Sequence, residues 1–183
     1  MARTSAAAAP SSTSVDATPL LAPWGGPYGG VPPWDKVTPA MFPAAFPIAM
    51  AELRRDVLKI RDDTRPATFQ TVIEPMELAG DTMDRVESMW GVYSSNLATK
   101  EVQAIDREWS PKLSAFYDEL YLDPKLFARV KAAYDGRAGQ KLDPQQLRLL
   151  ERTYRSFVRR GALLTDAQRA QVSKLNQALS VAY

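Results

Sequence analysis

The chain has 183 residues, 45% apolar and 24% charged, with 23 basic against 21 acidic residues and a net charge of +2. That is enough chain for one sizeable domain with a real core, and too mild a charge to imply a nucleic acid or an anionic membrane as partner. It holds no cysteine and no histidine, which excludes disulfides, thiolate and imidazole metal sites, a cysteine nucleophile and a Ser-His-Asp triad.

A cysteine-free chain is stable in reducing and oxidising surroundings alike, so cytoplasm and periplasm both stay open. No stretch is apolar over the ~20 residues a bilayer demands. Residues 1–18 are rich in Ala, Ser and Thr. They lack the apolar run of a signal peptide and have too little apolar surface to offset the entropy of ordering. They are expected to form a disordered tail.

Residues 19–38 combine Pro and Gly with Trp24, Tyr28 and Trp34. Pro and Gly forbid a regular helix, while the aromatics favour burial. An extended arm lying across a larger body is expected, in preference to a ligand for a proline-binding groove, because PxxP spacing is missing.

From Thr38 the pattern becomes helical. Thr38-Pro39 is a start signal, and the first main helix is expected over 46–61, burying Ile48, Leu53, Val57 and Ile60. A second helix is expected over 68–79, kinked by Pro75 and stopped by Gly80, with Asp81 capping the next. Helix 82–97 carries an apolar stripe of Met83, Val86, Trp90, Tyr93 and Leu97. Thr99 caps a fourth helix, striped by Val102, Ile105, Trp109, Leu113, Phe116 and Leu120, in which Pro111 predicts a kink. Asp123-Pro124 opens a helix with Leu126, Phe127, Val130 and Tyr134 that ends at Gly136. Asp143-Pro144 opens another, with Leu147, Leu150, Tyr154, Phe157 and Val158, ending at Gly161. Thr165-Asp166 opens the last, with Val172, Leu175 and Leu179.

Strand signals are almost absent and no fixed-period repeat occurs. The expectation is an all-α array of roughly seven helices over 39–183, following the tail (1–18) and the arm (19–38). The last helix is still periodic at Tyr183, so the helical domain is expected to be incomplete.

Few residues suggest chemistry. Glu74, Glu77, Asp81, Asp84 and Glu87 put carboxylates on successive turns. They lack the glycine-centred acidic loop of a hard-cation site and read as solvated faces. The neighbours Asp62-Asp63 and Asp118-Glu119 point to different sides of a helix and make poor acid–base couples. No Gly-x-Ser-x-Gly elbow and no phosphate loop occur. The sixth helix has a basic stripe of Arg148, Arg152, Arg155 and Arg159, continued by Arg160. Between Arg137 and Arg160 there are seven basic and two acidic residues. A nucleic-acid surface is one reading. A solvated helix face, or the wall of a cleft facing acidic substrate ends, is preferred, because Tyr154 and Phe157 fit the apolar stripe better than a stacking platform; Arg148, Arg152, Arg155 and Arg159 are then the candidate substrate-channel or partner contacts. No catalytic, cofactor-binding or metal residue is assigned.

Several segments, in order, resemble the N-terminal region of the peptidyl-dipeptidase and oligopeptidase-A group of thimet-oligopeptidase-like zinc metallopeptidases. They are Pro19-Leu20-Leu21; Trp34-Asp35-Lys36-Val37-Thr38-Pro39; Pro66-Ala67-Thr68-Phe69-Gln70-Thr71-Val72-Ile73; Glu101-Val102-Gln103-Ala104-Ile105 with Ser110-Pro111-Lys112-Leu113-Ser114; and Leu149-Leu150-Glu151-Arg152-Thr153-Tyr154-Arg155-Ser156-Phe157-Val158-Arg159-Arg160-Gly161-Ala162. The resemblance spans 19–183, departing from the family pattern in the glycine-rich 25–30 and at Thr71. It implies an all-helical, bilobed parent with a deep channel, zinc as its cofactor and oligopeptides as its substrates. Catalysis there needs an H-E-x-x-H helix in a C-terminal catalytic domain, which these residues do not contain. The chain would then be a non-catalytic segment forming channel wall. The alternative reading is a stand-alone helical protein-interaction module, with RNA binding through the sixth helix a third.

Overall fold

The computed structural model describes residues 15–28 and 30–182, without the side chains of 180–182. The expected tail lies outside the described residues as far as residue 14. Its last residues are ordered into the fold: Ala17 is buried and Thr18 opens a turn of helix, α1 (Thr18–Leu21). The arm therefore begins helical, because Leu20 is fully shielded from solvent within the main core and draws its turn inward.

The remaining elements are all helical, and no strand occurs among the described residues. Pro39–Met41 makes a 3-10 turn that runs directly into α2 (Phe42–Arg61). This helix starts four residues before its expected beginning. Pro43 lies in the first turn, where amides have no intrahelical partner, so only Pro47 removes a ladder bond. The early start places Phe42, Ala45, Phe46 and Ala49 in the core with no solvent exposure, ahead of Val57 and Ile60. Ile48 lies off that stripe and is 45% exposed, contrary to expectation. Nor does the Thr38 side chain cap.

The expected helix over 68–79 is two shorter pieces. A wide π-type turn over Phe69–Ile73 has the Glu74 amide donating to the Phe69 carbonyl, and α3 (Glu74–Glu77) follows. Pro75 has no amide to continue an α ladder, so the wider turn takes its place. Thr68 and Thr71 close a reciprocal capping box at its start. Gly80, at φ +93°, leads into α4 (Asp81–Asn96) and occupies the cap position that was expected of Asp81.

Side-chain caps then set the entry of each helix. Thr99 accepts from the Val102 amide at 3.3 Å to start α5 (Lys100–Tyr121). Asp123 accepts from Leu126 at 2.8 Å to start α6 (Pro124–Asp135). Asp143 accepts from Gln145 and Gln146, whose own side chain returns to the Asp143 amide, to start α7 (Pro144–Arg159). Pro111 sits within the continuous α5. The final helix is α8 (Asp166–Ala182), which packs along α5.

Two clusters make up the core. One holds Leu20, Phe42, Phe46, Trp90, Tyr93, Val102 and Trp109, and the arm is tied to it. The Tyr93 hydroxyl donates to the Val37 carbonyl at 2.8 Å, and Arg85 donates to the Leu21 carbonyl at 3.0 Å. The other gathers Phe69, Ile73, Phe116, Leu126, Val130, Leu150 and Phe157. Met50 and Leu53 of α2 pack against both.

Besides Ile48, four expected core positions are open, among them Leu147 of α7 at 37% exposure. Leu97 lies past the end of α4 and is 51% exposed, while Leu175 and Leu179 are 62% and 56% exposed. Helix α8 has α5 as its main neighbour, and its outward leucines are uncovered among the described residues. The contrast between the two faces of α2 is testable. Phe46→Ala should cost ~3–5 kcal/mol in urea unfolding, whereas Ile48→Ala should stay within about 0.5 kcal/mol.

Candidate functional site

Helix α7 carries an apolar and a basic side. Leu150 and Phe157 are buried in the second core cluster. Tyr154 stacks on Tyr134 at 4.0 Å between centroids and on Phe127 at 6.0 Å. The aromatics of this helix thus turn inward, leaving no stacking platform on its basic side.

Arg148, Arg152, Arg155 and Arg159 all line one cleft of about 680 Å³, together with Arg160. At 3.6 residues per turn, these four positions fall within about 60° of arc. The cleft's facing wall comes from Ile73 and Met76 near α3 and from Tyr121 at the end of α5. Among the described residues its acidic lining is Glu77 alone, against five arginines. Arg160 lies 3.9 Å over the Tyr121 ring, a cation–π contact across the cleft lining.

The partners of these arginines set them apart. Arg155 pairs with Glu151 at 3.2 Å on the exposed helix surface. Arg148, Arg152 and Arg159 have no carboxylate within 4.0 Å among the described residues. Elsewhere arginines hold the structure together. Arg54 grips Glu119 through two bonds of 2.7 Å, and Arg61 bridges Asp62 and Asp123. Arg54 holds the Glu119 carboxyl below its usual range. Asp62 and Asp63 likewise turn to different partners, Arg61 and Arg65, rather than forming an acid–base couple.

A second groove of about 790 Å³, of mixed polar and apolar lining, meets the first at Arg159 and Arg160. Asp106, Ser110, Ser114 and Asp118 line it at steps of four along α5, with Asn176 opposite on α8. Asn176 donates to Asp118 at 2.9 Å, leaving the other Asp118 oxygen buried without a partner. The sequence reading missed this groove. Its signal was the four-residue polar repeat running beside the apolar stripe of α5.

Of the acidic residues on successive turns, Glu74, Glu77, Asp81 and Asp84 are exposed. Glu87 departs from that reading. It is half-buried and accepts a 2.6 Å bond from the Tyr117 hydroxyl. Burial pushes the Glu87 carboxyl up, and the tyrosine bond only partly offsets this. Burial, and then the neighbouring Glu87, push the Tyr117 hydroxyl up as well. No group of three His, Cys, Asp or Glu side chains converges on a metal-sized point among the described residues. The zinc implied by the family resemblance therefore has no seat in them.

The chain matches no protein-family model. It is similar to the dipeptidyl carboxypeptidase of Escherichia coli K12, at 29% identity over 145 residues, and to that of Salmonella typhimurium LT2, at 28% over 145 residues. Each alignment takes in 79% of this chain and 21% of the relative, so the chain spans about a fifth of their length. The resemblance to the peptidyl-dipeptidase group carried by the sequence segments is borne out.

The raised Glu87 carboxyl predicts how stability depends on pH. A carboxyl raised on folding adds stability below its unfolded pKa, and that stability is lost as pH rises through the folded value. Glu87→Gln keeps an acceptor for Tyr117 and removes the buried charge. The variant should melt above the parent at pH 7, and the gap should close as the pH is lowered toward about 4, where the parent carboxyl is protonated.

Proposed function

We propose that this chain is a non-catalytic helical segment of a zinc metallopeptidase of peptidyl-dipeptidase or oligopeptidase type, and that it forms part of the wall of a channel for short oligopeptides. The similarity over 145 residues to two dipeptidyl carboxypeptidases carries the reading. The largely unpaired arginine face of α7, in which only Arg155 meets a carboxylate among the described residues, supports a wall role. The zinc site and the hydrolytic step belong to the proposed remainder of the parent, and these residues take no part in bond cleavage. Their work would be to bind and orient peptide and to restrict entry.

The exposed Leu163, Leu175 and Leu179 favour a second reading, a helical interaction module that docks through α8. In the first reading the rest of the parent would cover such apolar surface.

Two measurements test the proposal. Purified chain, incubated with zinc and an oligopeptide, should release no dipeptide by mass spectrometry; release by these residues alone would overturn the non-catalytic role. The reading frame beyond the codon for Tyr183 should continue into an H-E-x-x-H helix and a downstream glutamate. A stop codon there, with no such helix in a following frame, would leave the interaction module.

A further inference from the structure

We infer that the open face of α7 binds acidic peptide in extended form, with side-chain carboxylates seated on Arg148, Arg152 and Arg159. The ligand class rests on the peptide-channel reading, while the seat rests on α7 alone.

Three observations lead there. Arg148 and Arg152, and again Arg155 and Arg159, are like charges four residues apart on one helix face. Such pairs are destabilising unless an anion lies between them, and among the described residues no carboxylate neutralises Arg148, Arg152 or Arg159. The Arg155–Glu151 pair is surface-exposed and worth little, so a ligand carboxylate exchanges with it at small cost.

The second observation is spacing. Four residues of helix rise about 6 Å, and the whole run from Arg148 to Arg159 rises about 16 Å. An extended peptide advances ~3.3 Å per residue, so alternate side chains on one face repeat every ~6.6 Å. Acidic residues two apart in such a peptide therefore match Arg148 with Arg152, and again Arg155 with Arg159, each pair four helix residues apart; the two pairs are offset by three residues, about 4.5 Å, and the whole run spans about five peptide residues.

The third is the lining. Met76 and Leu149, half-buried in the cleft lining, give the intervening side chains an apolar surface, over a floor of buried Ile73 and Phe157. Tyr154 is committed to Tyr134 and Phe127, Phe157 is buried, and Tyr121 already carries Arg160 over its ring, so the cleft offers no row of open rings for successive bases. This favours peptide over single-stranded nucleic acid.

The test uses the full chain and a fluorescein-labelled peptide, acetylated and amidated, in which glutamate alternates with alanine over six residues. Blocked ends confine recognition to side-chain carboxylates. Fluorescence anisotropy should show binding that weakens at least about fivefold when glutamate is replaced by glutamine, or when Arg148→Gln and Arg152→Gln are combined. Arg107→Gln, exposed on α5 and outside the cleft, should leave affinity within about twofold, and circular dichroism should show all variants equally helical. Equal binding of the glutamate and glutamine peptides would overturn the inference. So would an equal loss with Arg107→Gln, or tighter binding of a hexanucleotide through the same arginines. The result is separable from the peptidase reading. A missing zinc helix would remove the parent enzyme and leave peptide binding standing, whereas failed binding would leave the parent enzyme standing.

Discussion

Phe42 and Phe46, one turn apart on α2, are wholly shielded from solvent among Trp90, Tyr93 and Trp109. The ring centroids lie 4.9 Å apart for Phe42–Trp90 and 5.0 Å for Phe46–Trp109. Edge and tilted contacts of this kind add to the area term, and a misplaced ring would open a cavity in a close-packed interior. The constraint fixes α2 against α4 and α5. Because α2 is 20 residues long and α5 is 22, the arrangement carries through to the second cluster, where Val57, Ile60, Phe116 and Leu120 meet Phe157 of α7. The arginine face owes its direction to that chain of contacts: Phe157 and Leu150 point into the core, so Arg148, Arg152 and Arg159 point out of it.

The arm shows the same dependence. Residues after α1 that lack regular structure hold their place because Val37 is buried and the Tyr93 hydroxyl reaches its carbonyl. Backbone that lies outside a helix ladder needs such partners. Tyr28, by contrast, is fully exposed at positive φ.

The cations divide into two sets. Arg54, Arg61, Arg65 and Arg129 engage carboxylates or carbonyls between helices and loops. The α7 arginines engage almost nothing within the fold, although they crowd one face. A helix that retains such crowding has its charge available to something outside it, and in the proposed channel that something is peptide. The α5–α8 groove, opening at the same two arginines, extends the polar surface past the end of α7.

Local rules in the sequence determined where most helices begin. Asp-Pro at 123–124 and 143–144, and Thr99, cap as read, because capping involves only residues within one turn. The all-helical class, the stripes on α4 to α7 and the four arginines on one side were legible for the same reason: a 3.6-residue period is a property of neighbours. What neighbours cannot report is which other element is present to cover a face. The start of α2 at Phe42, through Pro43 and Pro47, required the aromatic pocket that rewards it. The π-type turn before Pro75 required burial of Phe69, Val72 and Ile73 to hold it. Ile48 and Leu179 belong to apolar patterns in the sequence and are left in solvent because no partner stands opposite. The stripe of arginines could be read from spacing, but its lining a cleft with one pair only, Arg155 to Glu151, depended on where Glu77, Tyr121 and Glu151 came to lie. Side-chain pairing and cleft shape arise between segments distant in the chain, and only the tertiary structure decides them.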